Sequence, residues 1–224
     1  MKMKRETILM RLSLLVAAFL LAGMSIPTLA QTAKERGKYF KENLKNEKYV
    51  NYEIPVKDGE VNLTEVISLP GVSAKELYER AKLVMKNKLS DCLTDYDQDD
   101  GEAMMVNGKL TLDYTWKNLP FRNDFLFKVM VIPDEGEYYL ALWKVHVSSQ
   151  STVGGVSRPS DEYQSVASSI GVGCMNKKQT ELLNTPQAYQ RIAVIDLWER
   201  LRDTFTAEMP KTLEQLKQEG HEDW

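Results

Sequence analysis

The side chains able to do chemistry are few, and their spacing argues against most reaction types. Asp95, Asp97 and Asp99, followed by Asp100 and Gly101, place carboxylates at alternate positions, as calcium loops do. An EF-hand loop needs glycine sixth and glutamate twelfth; Asp100 and Val106 stand there, so the run reads as a solvated acidic turn between strands. His146 and His221 have no converging His, Cys or carboxylate partners of the kind a zinc site requires. No G-x-S-x-G elbow occurs, and the serines of 148–169 read as loop residues. Gly154-Gly155 and Gly171-x-Gly173 lack the strand-turn-helix setting of a phosphate loop. The expectation is no catalytic residue, no metal and no cofactor.

Cys92 and Cys174 pose a separate question. Bridged, they would close a long loop and contribute on the order of 4 kcal/mol by chain entropy. Spacing alone leaves a disulfide and two separate buried thiols equally open.

The elements that position these residues begin with VNLTEVISLPGVSAKELYERAKLVMKNKL at 61–89. Val61, Leu63, Ile67 and Leu69 alternate with polar residues as a half-buried strand does. Pro70-Gly71 breaks it, and Ser73 with Glu76 has the spacing of a capping box for a helix to about Leu89. Four strands follow, at Leu93–Gln98, Ala103–Trp116, Asp124–Ile132 and Glu137–Val147, with Asn107-Gly108 marking a bulge or bend in the second. Residues 148–185, rich in Ser and Gly, read as a long loop or flap. Thr185-Pro186 caps a helix to about Thr206, which buries Val194, Leu197, Trp198, Leu201 and Phe205; Pro210 restarts it toward Gly220. Residues 31–55 read as a charged N-terminal extension, so a single α+β domain spans 56–220.

Residues 1–30 read as a secretory signal. Lys2, Lys4, Arg5 and Arg11 precede LSLLVAAFLLAG, and Thr28-Leu29-Ala30 offers a cleavage site before Gln31. Met24 stands where a lipoprotein needs cysteine, so no lipid anchor is expected. Without these residues the chain has 25 Lys+Arg against 31 Asp+Glu, a net charge of −6. Such a chain has no field to attract nucleic acid or an anionic membrane. A periplasmic or extracellular location follows, with no membrane association after cleavage.

With this element order the chain resembles the exported bacterial domain of unknown function that has a TATA-box-binding-protein-like fold. The resemblance runs from about Val56 to Val147 and is carried by VKDGEVNLTEVISLPGVSAKELYERA, DQDDGEAM and FLFKVMVIPDEGEYYLAL. Where that family has a basic K-D-G-R-Y-R run, Pro133-Asp134-Glu135-Gly136-Glu137-Tyr138-Tyr139 stands here. The resemblance implies a curved antiparallel sheet of about five strands with two helices on one face, and no activity.

If Phe127 and Trp143 face the helices, the opposite face shows Thr111, Asp113, Lys128, Met130, Tyr138, Leu140, Leu142, Lys144 and His146. A mixed apolar and polar surface of this kind suits a protein or small ligand better than water. The functional expectation is therefore a non-enzymatic binding module using the open sheet face. Residues 31–56 or 148–185 folding over that face is the bland alternative. A hydrolase-like site where flap meets sheet, built from Asp113, Lys128, Lys144 or His146, is the alternative from another class. It requires these side chains to converge.

Overall fold

The computed structural model describes residues 31–153, 156–159 and 162–220. The signal expected over 1–30 and the tail histidine His221 lie outside the described residues. From Thr32 onward the chain forms one compact unit.

Two short helices come first, α1 (Ala33–Glu42) and α2 (Glu47–Val50). Thr32 and Glu35 cap α1 reciprocally, satisfying two end amides that would otherwise lack partners. The strands are β1 (Val56–Lys57), β2 (Glu60–Ser68), β3 (Leu93–Asp99), β4 (Met104–Trp116), β5 (Leu119–Asp134), β6 (Glu137–Val153), β7 (Val156–Pro159) and β8 (Gln164–Ser165). They form one antiparallel sheet in the order β1-β2-β6-β5-β4-β3, with β7 and β8 also pairing to β6. Helix α3 (Ala74–Lys88) lies between β2 and β3; α4 (Pro186–Glu208) and α5 (Leu213–Glu219) close the chain. Helices α3 and α4 pack together and share one face of the sheet. The architecture is α+β, with more strands than the five expected.

Segment 148–185 differs most from the sequence expectation. Strand β6 continues to Val153 and pairs with β7, and β8 returns against His146 and Val147. Threonine favours strands and strand preference depends strongly on context, so polarity was a poor guide here. Strand β5 also starts earlier than Asp124. Lys117 and Asn118, both at positive φ, make a two-residue hairpin that carries Leu119-Pro120 straight into the sheet. No bulge occurs at Asn107-Gly108 between β4 and β5; the irregularities lie in β3 opposite. Gly108 is needed for another reason, since an added Cβ would sit 2.1 Å from the Phe127 ring.

The capping at α3 is half of the expected box. Ser73 Oγ accepts from the Glu76 amide at 3.3 Å, but the Glu76 carboxylate turns to Arg80, whose Nη1 donates to the Met209 carbonyl at 2.8 Å. The cap is thereby exchanged for a tie between α3 and the end of α4.

Residues 31–55 are part of the core. Phe40, Tyr49 and Val50 are buried, and Phe40 packs edge-on against Tyr114 of β4. Helix α1 approaches β4 closely enough that the Arg36 guanidinium donates to the Asp113 carbonyl. An added Cβ at Gly37 would lie 2.2 Å from the Thr115 carbonyl oxygen, and both partners there are backbone. Gly37→Ala is therefore expected to cost about 1–3 kcal/mol through forced separation of α1 from β4. Urea denaturation measures this; an unchanged midpoint would show that the contact is slack.

Candidate functional site

The sheet has one face under the helices and one facing out, and a single irregularity in β6 decides which residues stand on each. Leu126 pairs with His146 while Lys128 pairs with Trp143, so β6 holds one extra residue there. Lys144 adopts φ 52° at that point. Such a bulge shifts the alternation by one residue. Before it, Tyr138, Leu140 and Leu142 point into the core; after it, Val145 and Val147 do. The outward set is therefore Tyr139, Ala141 and Trp143, and then His146.

This corrects the expected face. Tyr138, assigned to the open side, is fully buried beside Phe205, with its hydroxyl lacking a hydrogen-bond partner among the described residues. Burial pushes its phenol well above the ordinary tyrosine range. Sequence alternation placed Trp143 with Phe127, which holds only if β6 is regular. No glycine marked the bulge, because a lysine occupies it.

Thr111, Asp113, Lys128, Lys144 and His146 do face away from the helices, but they do not converge. Thr111 donates to Asp124 at 2.6 Å. Asp113 takes a fork of bonds from Arg122, at 2.8 and 3.1 Å. Lys128 reaches Asp97 at 2.5 Å, and the Lys144 ammonium sits 4.3 Å above the Trp143 ring. His146 Nε2 meets the Glu60 carboxylate at 3.0 Å; Ser165 Oγ also donates to that carboxylate and makes no bond to the histidine. A serine that bypasses the imidazole has no base to activate it. Thr111–Asp124, Asp113–Arg122 and His146–Glu60 fasten neighbouring strands, Lys128–Asp97 reaches across β4, and the convergence that a flap-and-sheet active site requires is absent among them.

What the open face does hold is an apolar field. Across β2, β6 and β5, Val66, Tyr139 and Ile132 form one row; Met130 and Met105 form the next, across β5 and β4, beside the fully buried Ala141 of β6. Trp143 and Leu126 continue it toward the bulge. Val66 and Ile132 are 57% and 40% exposed. Residues 31–56 do not lie over it; their buried side chains belong to the core on the helix side.

The acidic turn is engaged with itself and its neighbours. Asp100 accepts from the amides of Ala103 and Glu102 and from Gln98, which holds its carboxyl down at about 2. Asp95, Asp97 and Asp99 turn to Asn107, Lys128 and Lys82 in turn. Among the described residues no cluster of three metal-ligating side chains forms. The cysteines are two free, buried thiols. Cys92 donates to the Leu89 carbonyl and burial pushes it up to about 11, while Cys174 donates to Gly171 at 3.0 Å. The disulfide considered from sequence is not formed.

Two charged residues inside α4 escaped the sequence reading. Asp196, 3% exposed, accepts from Tyr49 at 2.7 Å, Tyr39 at 2.8 Å and Lys48 at 3.3 Å. Burial raises its carboxyl above the usual range, against the pull of those donors. Arg191, 3% exposed, donates to the carbonyls of Tyr49, Val50, Tyr52 and Ile170. A signal existed: Arg191 and Asp196 are the charged residues of the largely apolar stretch Ala188–Trp198, each needing a partner once buried.

No family model and no curated protein matches the sequence. Solved structures do. A DUF4468 family protein from Bacteroides ovatus aligns at TM-score 0.53 and 17% identity, over 76% of this chain and 95% of that one. A TBP-like protein from Parabacteroides distasonis aligns at TM-score 0.51 and 11% identity, over 71% of this chain and 98% of that one. The chain has the TBP-like fold. Both neighbours are bacterial, and the resemblance read from sequence agrees with them; at these identities they speak for fold alone.

Replacing Asp196 by alanine takes the carboxylate from the Tyr39 and Tyr49 hydroxyls, only one of which can then donate to the other, and is expected to cost about 2–4 kcal/mol. Asp196→Asn, which keeps one acceptor oxygen, is expected to cost less. Chemical denaturation of both variants measures the difference, and equal losses would count against the hydrogen-bonding account.

Proposed function

We propose that this chain is an exported, non-enzymatic binding module that docks another polypeptide on the open face of its sheet. The observation that carries this reading is the contiguous apolar field from Val66 through Tyr139 and Ile132 to Met130, Met105 and Trp143. An apolar surface rimmed by polar groups is the usual composition of a protein interface, with aromatic residues and Met enriched at its centre. The rim here holds the ion pairs Lys128–Asp97 and Arg122–Asp113, with Thr111 donating to the Asp124 carboxylate. The two ion pairs can meet a partner without leaving those four charges bare. The net charge of −6 beyond residue 30 speaks against nucleic acid as the occupant.

The experiment is an aspartate scan of the face, read by binding of the dye ANS. Ile132→Asp and Val66→Asp change exposed positions and are expected to leave stability within about 0.5 kcal/mol. They should sharply reduce ANS fluorescence relative to the parent chain. Undiminished dye binding would remove the field as the sticky surface.

Export rests on the basic, apolar and small-residue order of residues 1–30. Among the described residues no helix is long and apolar enough to cross a membrane. Mass spectrometry of the protein from the native host is expected to find a chain beginning at Gln31. A chain retaining Met1 would contradict cleavage.

A further inference from the structure

We infer that the cleft over the buried Arg191 is a binding site for a small monocarboxylate with an apolar body. The cleft encloses about 430 Å³ between the 50–56 segment, the 167–179 loop and α4. That volume lies within the range of small-molecule sites. It is remote in kind from the open sheet face, being built from the strap and loop on the helix side.

Arg191 lines this cleft with its charge uncompensated. A guanidinium carries five N–H donors. Nε gives one to Tyr49, Nη2 gives two to Val50 and Tyr52, and Nη1 gives one to Ile170, which leaves one Nη1 hydrogen. All four acceptors are backbone carbonyls, which solvate the cation as dipoles but bring no net negative charge. Among the described residues no carboxylate pairs with it: Glu53, the one acid lining the cleft, makes no ion pair with Arg191. Buried cations elsewhere are normally matched by an anion, because desolvation is otherwise unopposed. The nearby Cys174 thiol does not serve, since burial raises its own pKa and keeps it neutral.

The remaining features choose among anions. One free donor suits one carboxylate oxygen through a charge-assisted bond, whereas a phosphate spreads several strong acceptors that this site cannot meet. Tyr52, Ile54, Ile170 and Met175 give the cleft an apolar side, which Val172, 68% exposed, extends; Asn51, Glu53 and Gln179 line it as well. A ligand with a single charged end and an apolar remainder matches both halves.

The test uses the full chain, labelled with ¹⁵N and titrated with 3-phenylpropionate or with the uncharged 3-phenylpropan-1-ol. Saturable amide shifts are expected at Tyr52, Ile54, Ile170 and Val172, with the alcohol weaker by at least about tenfold, a difference of roughly 1.4 kcal/mol. Val172→Trp obstructs the cleft at an exposed position and should abolish the shifts while leaving thermal unfolding unchanged. Arg191→Lys should narrow the gap between acid and alcohol if it folds. Equal affinity for acid and alcohol, absence of saturable shifts at these amides, or full binding by Val172→Trp would each overturn the assignment.

Discussion

Helix α4 is buried on nearly every side from Ala188 to Trp198, yet it carries an arginine and an aspartate in that stretch. Neither charge has a carbonyl or hydroxyl to meet within the helix itself, where the backbone is already hydrogen-bonded. Residues 39–52 supply what is missing: the hydroxyls of Tyr39 and Tyr49 go to Asp196, and the carbonyls of Tyr49, Val50 and Tyr52 go to Arg191. Buried polar groups are tolerated only when satisfied, and half-satisfied networks are worse than apolar packing. The N-terminal segment is thus the condition on which α4 can occupy the centre of the fold. Tyr49 serves both charges at once, its hydroxyl facing one and its carbonyl the other.

With α4 held in this way, the sheet is divided cleanly. One side is filled by Leu77, Val84, Leu140, Val129 and the aromatic group of Phe40, Tyr114 and Tyr189. The other side has no helix of its own among the described residues and keeps an apolar field beside surface ion pairs. The bulge at Lys144 connects these two facts. It turns Tyr138, Leu140 and Leu142 inward over one half of β6 and Val145 and Val147 inward over the other, so a single strand feeds the core along its length despite a change of phase.

Much of the architecture was legible before the structure. The alternation of β2, β4 and β5, the Ser73 and Thr185 caps and the apolar stripes of α3 and α4 all signal local periodicity, and local periodicity is what sequence displays well. The candidate surface was legible in part: Thr111, Asp113, Lys128, Met130, Lys144 and His146 were placed on the correct face, and Tyr138, Leu140 and Leu142 were not. One extra residue in a strand inverts everything on the far side of it, and a bulge occupied by lysine has no compositional mark. The charged strap 31–55 was set outside the domain because its net polarity hides four core side chains, Phe40, Leu44, Tyr49 and Val50. Arg191 and Asp196 stood out only as charges in an apolar stretch; what they bind was not legible, since their partners are backbone carbonyls and residues far away in the chain.

The tie between Tyr39 and Asp196 spans 157 residues. During synthesis the amino-terminal strap emerges long before the helix it serves, and for nearly the whole elongation its tyrosines have nothing to hold. Contacts this distant along the chain close late and slowly. The hairpins of the sheet can therefore zip as they appear, while the centre stays unsealed until α4 has been made. A ribosome that still holds α4 carries a protein whose middle has not yet closed.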